Sequence, residues 1–178
     1  MTEPAPLPGN PSDPKGLLWY VAHTRPRCEK KLASYCRRES LAVTLPCYRV
    51  VHKYRGPTPK TIAFEKPLFP GYVFLELLAP QRQRVHQSDC VAKLLVVVDQ
   101  VSFVEQLQAV LQALETNLPL RLAPQVSEGQ KVRITQGPLC GLEGWVERRS
   151  EPGTVLLRID FIGQAAAVQL GLDDFELI

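Results

Sequence analysis

The sequence predicts an α+β protein in which a basic domain of mixed strands and helices is followed by a small all-β domain. Hydrophobic residues recur at both strand and helix spacing up to about residue 116, whereas after residue 125 only short alternating stretches between glycines remain. The charge changes along with the pattern. Residues 17–66 carry eleven Lys or Arg against three Glu, whereas residues 126–178 carry five bases against eight acids. A chain of 178 residues has room for two such domains.

Four segments follow from this division. Residues 1–16 contain five prolines and few apolar groups, so we expect a disordered tail that cannot offset the entropy of ordering. Residues 17–116 form the first predicted domain. Residues 117–125 contain two prolines and no periodicity, which is typical of a linker. Residues 126–178 form the second domain.

The first domain is predicted to start with a strand and a helix. Leu17–His23 is apolar and aromatic, as strands are. Thr24 is expected to cap a helix that runs to about Glu39, with Pro26 in its first turn. Further strands are expected at Val43–His52, Thr61–Glu65, Tyr72–Leu77 and Leu94–Val98.

A second long helix is predicted close to the end of this domain. Ser102 and Glu105 have the spacing of a capping box, and apolar residues from Val101 to Leu114 recur at helical intervals.

The second domain is predicted to be a small closed β-barrel. Its glycines are dense, and Gly137–Gly144 is expected to let two strands approach closely. Because each interior glycine costs a helix about 1 kcal/mol relative to alanine, we expect a stable barrel and no helical form. The strands are expected at Lys131–Thr135, Gly144–Arg148, Thr154–Phe161, Ala165–Leu170 and Phe175–Ile178.

The sequence argues against catalysis, metal binding and membrane insertion. It lacks nucleophile-elbow, phosphate-loop and zinc-protease motifs, so no catalytic residue, cofactor or metal ligand is assigned. The five cysteines are odd in number and form no C-x-x-C pair, so they are expected to be reduced thiols. Apolar runs such as Leu94–Val98 are only strand-sized, and the N-terminus has no signal-peptide core. A cytoplasmic monomer is expected.

Two stretches carry a family resemblance. One is Lys66–Phe74 (KPLFPGYVF), and the other is Gly129–Val146, with GQKVRI followed by GPLCGLEGWV. With Trp19-Tyr20 and Phe161-Ile162-Gly163, they resemble the NusG family of transcription elongation factors. The resemblance implies a NusG-type N-terminal α/β sandwich, with an antiparallel sheet and flanking helices, followed by a KOW domain, which is a small SH3-like barrel.

The resemblance implies a protein-binding surface on the first domain. By position, His23, Phe69, Tyr72 and Phe74 would contact the clamp helices of the largest RNA polymerase subunit. Period-2 alternation places Tyr72 and Phe74 on one face of their strand and Val73 on the other. The alternative from the residues themselves is that both aromatic rings belong to the core and that His23 has a structural role.

The resemblance also implies contacts with nucleic acid and with further proteins. Basic residues near the first helix would face non-template DNA at the transcription bubble, where Lys and Arg give sequence-tolerant phosphate contacts. The polar loop Arg82–Ser88 would touch the other large subunit. The barrel edge would bind Rho or a small-subunit ribosomal protein. The candidate residues are Arg25, Arg27, Lys30 and Lys31 for DNA, His86 in the loop, and Phe161, Ile162 and Gln164 in the barrel.

Two functional interpretations remain open at this point. One is a transcription elongation or antitermination factor, either the housekeeping factor or an operon-specific paralogue. The other is a KOW protein associated with the ribosome or with RNA. The aromatic stretch around Pro67–Gly71 favours the first, because a protein that binds only RNA does not need it.

Overall fold

The computed structural model describes residues 16–54, 60–116, 118–124, 129–146 and 152–178. The predicted tail, apart from Gly16, lies outside the described residues. The fold is α+β, as predicted: an antiparallel sheet with few helices is followed by a β-rich C-terminal region.

The N-terminal region is built on a four-stranded antiparallel sheet. Its strands lie in the order β2 (Ala42–Thr44), β5 (Tyr72–Leu77), β1 (Leu18–Thr24) and β6 (Val91–Val96). Side chains alternate between its two faces, so Val73 joins one core cluster while its neighbour Phe74 joins the other. The predicted alternation of Tyr72 and Phe74 against Val73 is therefore confirmed.

Three helices cover this sheet. Helix α1 (Glu29–Arg38) and the short α2 (Arg82–His86) bury Leu32 and Val85 in the cluster that contains Val73. Helix α3 (Gln100–Glu115) buries Phe103 and Leu107 in the cluster that contains Phe74.

Both predicted helix caps were wrong. Thr24 is the last residue of β1, and Arg27 has φ +62°, which stops a right-handed helix from forming before Cys28. Helix α3 starts at Gln100 because the Asp99 side chain accepts a hydrogen bond from the Ser102 amide at 3.0 Å. Asp99 therefore takes the role that the capping box assigned to Ser102.

A β-ribbon forms a sheet of its own. Strands β3 (Cys47–Tyr54) and β4 (Lys60–Pro67) pair antiparallel from Cys47 opposite Pro67 to Tyr54 opposite Lys60. No other strand of the described chain joins them.

The C-terminal region is a six-stranded antiparallel sheet. In chain order its strands are β7 (Leu120–Pro124), β8 (Gln130–Ile134), β9 (Glu143–Val146), β10 (Thr154–Ile159), β11 (Gln164–Gln169) and β12 (Phe175–Leu177). In space the order is β12-β8-β9-β10-β11-β7. A Cβ on Gly144 would collide with the buried Val155 side chain, so glycine is favoured where β9 lies beside β10.

The segment predicted as a linker, 117–125, is not a free tether. Its residues Leu120–Pro124 form β7, which pairs along its whole length with β11 from Leu120 opposite Val168 to Pro124 opposite Gln164. The prolines misled the prediction because Pro119 precedes the strand and Pro124 ends it, and both are positions where a sheet tolerates proline.

Candidate functional site

The His23–Tyr72 pair lies at one end of the central sheet. The two residues are opposite each other in the β1–β5 register, and their ring centroids are 5.3 Å apart. His23 is exposed and Tyr72 is half-buried. Sequence reasoning placed both in a protein-binding patch, and the structure brings them together.

The turn before Tyr72 is held by two short hydrogen bonds at Gly71. Gly71 has φ +84°, and its carbonyl accepts a hydrogen bond from the Thr24 amide at 2.8 Å. Its own amide donates to Glu29 Oε1 at 2.7 Å. The position where a Cβ would stand lies 3.7 Å from the His23 ring. This turn therefore links β1, β5 and the first turn of α1, and the positive φ favours glycine.

Phe69 and Phe74 are core residues, which corrects their assignment as interface residues. They are 1% and 0% exposed, and their ring centroids are 6.1 Å apart. Phe74 also contacts Phe103 of α3 at 5.5 Å. Such edge-to-face pairs stabilise a core beyond the area that they bury. Of the four predicted polymerase-binding residues, only His23 and Tyr72 present surface to a partner.

The four predicted DNA-binding cations lie in the segment that directly follows His23 and Thr24 at the end of β1. Arg25 and Arg27 lie in the turn between β1 and α1, and Lys30 and Lys31 lie in the first turns of α1. All four are exposed. The turn is fixed because the Arg25 amide donates to the Cys90 carbonyl at 2.8 Å. We call these four residues the basic turn. Arg25 and Arg27 precede α1 and do not lie on it, in contrast to the prediction for Arg27.

His86 is the last residue of α2, so the segment predicted as an irregular loop is partly helical. Its neighbour Val85 packs on the sheet face opposite to that of Tyr72, so His86 does not join the His23–Tyr72 pair. The structure instead reveals Arg84, which donates to Glu39 Oε2 at 3.0 Å and to the Glu39 carbonyl at 2.8 Å. These contacts hold α2 against the end of α1.

The predicted barrel-edge residue Phe161 packs against α3. Its ring centroid lies 6.4 Å from that of Phe103, which is also 5.8 Å from Trp19. Next to this contact, Gln106 Nε2 donates to Asp160 Oδ2 at 2.6 Å, and the Asp160 amide donates to Gln106 Oε1 at 2.9 Å. An aromatic contact and a reciprocal pair of hydrogen bonds therefore dock the C-terminal region on α3.

The other two barrel-edge candidates lie close to this contact. Ile162 is half-buried against the same core, and Gly163 follows with φ +63°. Gln164 opens β11, and its Oε1 is buried without a hydrogen-bond partner among the described residues. This edge is thus directed toward the N-terminal region in the present conformation.

Trp145 and Arg158 form a pair on the outer side of β9 and β10 that sequence reasoning missed. The guanidinium of Arg158 lies 3.9 Å from the centre of the Trp145 ring, which is within the range of a cation–π contact. Burial lowers the pKa of Arg158. Only the β10–β9 register, with Leu156 opposite Trp145, places these two side chains together, and no local motif indicates it.

The described residues contain no cluster of three or more His, Cys, Asp or Glu that could hold a metal ion. The five cysteines are free thiols, and burial raises the pKa of the Cys36 thiol to about 11. Among the residues that the structure describes, no helix is long and apolar enough to span a membrane.

Comparison with known proteins relates the chain to one family of transcription factors. The family model described as "Transcription termination factor nusG" matches residues 17–128. The chain is 25% identical over 177 residues to the transcription termination/antitermination protein NusG of Haemophilus influenzae, which covers 90% of this chain and 94% of the relative. It is also similar to a chain of the crystal structure of the MjSpt4:Spt5 complex in conformation B, with 16% identity, a TM-score of 0.32, and coverage of 90% of this chain and 97% of that one.

Proposed function

The chain belongs to the NusG family of transcription factors, and we propose that it is an elongation and antitermination factor that binds RNA polymerase through its N-terminal region. The partner would be the clamp helices of the largest subunit, with non-template DNA beside them. One observation carries the proposal: the turn at Gly71 links the exposed His23 and the half-buried Tyr72 to the segment that carries the basic turn. Hydrogen bonds from Thr24 and to Glu29 join them through Gly71.

This part of the molecule combines two kinds of recognition. The rings of His23 and Tyr72 offer an amphipathic protein contact, which is the chemistry enriched at interfaces. The cations of the basic turn offer phosphate contacts whose strength falls with salt. A factor that bridges polymerase and DNA in this way acts by holding them together, and its role requires no catalytic group.

The C-terminal region would recruit a second partner, Rho or a small-subunit ribosomal protein, through Phe161, Ile162 and Gln164. Because Phe161 packs against Phe103 in this structure, that edge becomes available only when the C-terminal region leaves α3. After release, the C-terminal region would stay joined to the N-terminal region by the chain between α3 and β7. Such a tether raises the effective concentration of a second partner.

The proposal is tested by binding of the tagged full-length chain to core RNA polymerase. His23→Ala with Tyr72→Ala removes both rings, and we expect affinity to fall by about tenfold or more. Because Tyr72 packs in part against the core, thermal unfolding is measured first to establish that the double variant is folded. Val98→Ala, at a residue that is 89% exposed elsewhere in the N-terminal region, is the control and should bind like the wild type.

Unchanged polymerase binding by the folded double variant would contradict the assignment of the His23–Tyr72 pair. Recovery of the wild-type chain with ribosomal particles and without polymerase would favour the ribosome- or RNA-associated alternative.

A further inference from the structure

The β3–β4 ribbon has two different faces. Residues directly opposite each other in the register share a face, and alternate positions along each strand belong to it. One face, which we call the aromatic face, comprises Tyr48, Val50, His52, Lys60, Ile62, Phe64 and Lys66. The other carries Arg49, Val51, Lys53, Thr61 and Glu65.

The aromatic face holds a stack of rings close to solvent. His52 lies parallel to Phe64, with ring centroids 5.2 Å apart and an interplanar angle of 0°. Lys66 Nζ lies 5.4 Å from the centre of the Phe64 ring. His52 is exposed, and Ile62 is 49% exposed. Apolar and aromatic groups are therefore presented along a ribbon whose strands pair with no other strand in the described structure.

The charge of the ribbon indicates what covers this face. Its described residues include the cations Arg49, Lys53, Lys60 and Lys66, and Glu65 is the one acid among them. Glu65 lies opposite Arg49, on the other face. Arg49 and Lys53 are on that face too, whereas Lys66, opposite Tyr48, and Lys60, opposite Tyr54, belong to the aromatic face. Within the part of the ribbon that the structure describes, the aromatic face thus carries two cations and no acid. This complements a polyanion and disfavours a basic or wholly apolar partner. The rings beside the cations favour nucleic acid over an acidic protein, because bases can stack on them.

The ribbon also continues a basic surface. Lys30 of the basic turn donates a hydrogen bond to the Glu65 carbonyl at the base of β4. A strand of nucleic acid that leaves the basic turn for the ribbon would pass one acid, Glu65, which lies opposite Arg49 and next to Lys66 in the chain.

We propose that the aromatic face binds single-stranded nucleic acid, with bases stacked on the His52–Phe64 pair and phosphates contacted by Lys60 and Lys66. Stacking on exposed rings requires bases that are not paired in a duplex, because a duplex covers its base faces. Cations beside such rings supply phosphate contacts that do not depend on sequence. This role goes beyond the polymerase contact and does not depend on it.

The test measures anisotropy of labelled oligonucleotides with the full-length chain in the absence of polymerase. The probes are oligo(dT), oligo(rU), a DNA duplex of the same length and a polyglutamate peptide. The test variant is His52→Ala with Lys66→Gln, and the matched control is Arg49→Gln with Val51→Ala. Each variant removes one cation and one exposed ring or aliphatic group, but from opposite faces of the same ribbon.

We expect the test variant to weaken binding of single strands by about tenfold, since each stacked base and each phosphate contact contributes measurably. The control should change affinity by less than about threefold, because only nonspecific charge is lost. Binding of oligo(dT) and oligo(rU) distinguishes DNA from RNA as the ligand, and tighter binding of either one than of the duplex supports the proposal. Lys60→Gln with Lys66→Gln keeps both rings and serves if the first variant fails to fold.

Equal losses in test and control variants would overturn the proposal, as would tighter binding of the duplex or binding of polyglutamate in place of the oligonucleotides. A variant of the basic turn, Arg25→Gln with Lys31→Gln, is measured in parallel. Loss of all single-strand binding in that variant alone would assign the site to the basic turn and also contradict the ribbon site.

Discussion

His23 and Tyr72 keep their rings at the surface, whereas Phe161 packs its ring against Phe103 of α3. Both places carry rings near the end of a strand: His23 and Tyr72 lie opposite each other in β1 and β5, and Phe161 follows β10. The difference arises from what the fold places opposite them: nothing in the described structure covers His23, while α3 supplies an aromatic ring and a glutamine to the Phe161 edge. An interface residue is thus defined by its tertiary surroundings, and one of these two surfaces is occupied by the chain itself.

The largest expected effect on stability comes from Phe103, which contacts rings of both the N-terminal and the C-terminal region. Phe103 is 2% exposed and contacts Trp19, Phe74 and Phe161. Phe103→Ala should lower the free energy of unfolding by about 3–5 kcal/mol, because it leaves a cavity in the core. Urea unfolding measures this loss. Phe161→Ala, at a half-buried ring, is the control and should cost clearly less; equal costs would show that Phe103 does not connect the two regions.

A smaller effect is expected from the hydrogen bonds that dock the C-terminal region. Gln106→Ala removes both bonds with Asp160 and should cost about 0.5–1.5 kcal/mol for each bond lost. It should also increase protease cleavage between α3 and β7, because the C-terminal region leaves α3 more often. Gln108→Ala, at an exposed position on the same helix, is the control. Unchanged cleavage in Gln106→Ala would mean that these bonds do not hold the two regions together.

The structure and the sequence pattern assign the N-cap of α3 to different residues, Asp99 and Ser102. Asp99→Ala should destabilise the protein by about 1 kcal/mol, because the Ser102 amide loses its acceptor. Ser102→Ala, which the predicted capping box would make the more harmful change, should cost less. Thermal unfolding of the two variants decides between these caps. A larger loss of stability in Ser102→Ala than in Asp99→Ala would support the predicted capping box.

The smallest effect concerns Glu143 on β9. Hydrogen bonds from Lys131 and Arg133 lower the pKa of this carboxyl group. A lowered folded-state pKa gives stability that is present above the unfolded-state pKa and is lost as pH falls through the folded-state value. The Tm difference between wild type and Glu143→Gln should therefore shrink between about pH 7 and about pH 3. A difference that stays constant over this range would contradict the ion pairs.

The sequence pattern predicted the elements that depend mainly on neighbouring residues in the chain. Alternation located β1 and β5, and glycine spacing predicted the close approach of two strands at Gly144. Strand β7 was missed because its stability comes from pairing with β11, whose partner residues are 40 to 48 positions further along the chain. The burial of Phe69 and Phe74 was missed because alternation gives a face but does not say what covers it.

The candidate site was predictable to a similar degree. The motif KPLFPGYVF located the corner where His23 meets Tyr72, since the two strands that carry them are adjacent. The stack of His52 on Phe64 and the contact of Arg158 with Trp145 depend on cross-strand register, which a single sequence does not specify. The docking of Phe161 on α3 depends on two regions that no shared motif connects.

The central claim, that the His23–Tyr72 corner binds polymerase, is tested most directly by site-specific photocrosslinking. A photoreactive phenylalanine analogue replaces His23, whose ring is exposed beside Tyr72, and the same analogue at Val98 is the control. With core RNA polymerase, we predict a crosslink from position 23 to the clamp helices of the largest subunit and none from position 98. A folded protein that binds polymerase but crosslinks from position 98 and not from position 23 would contradict the account.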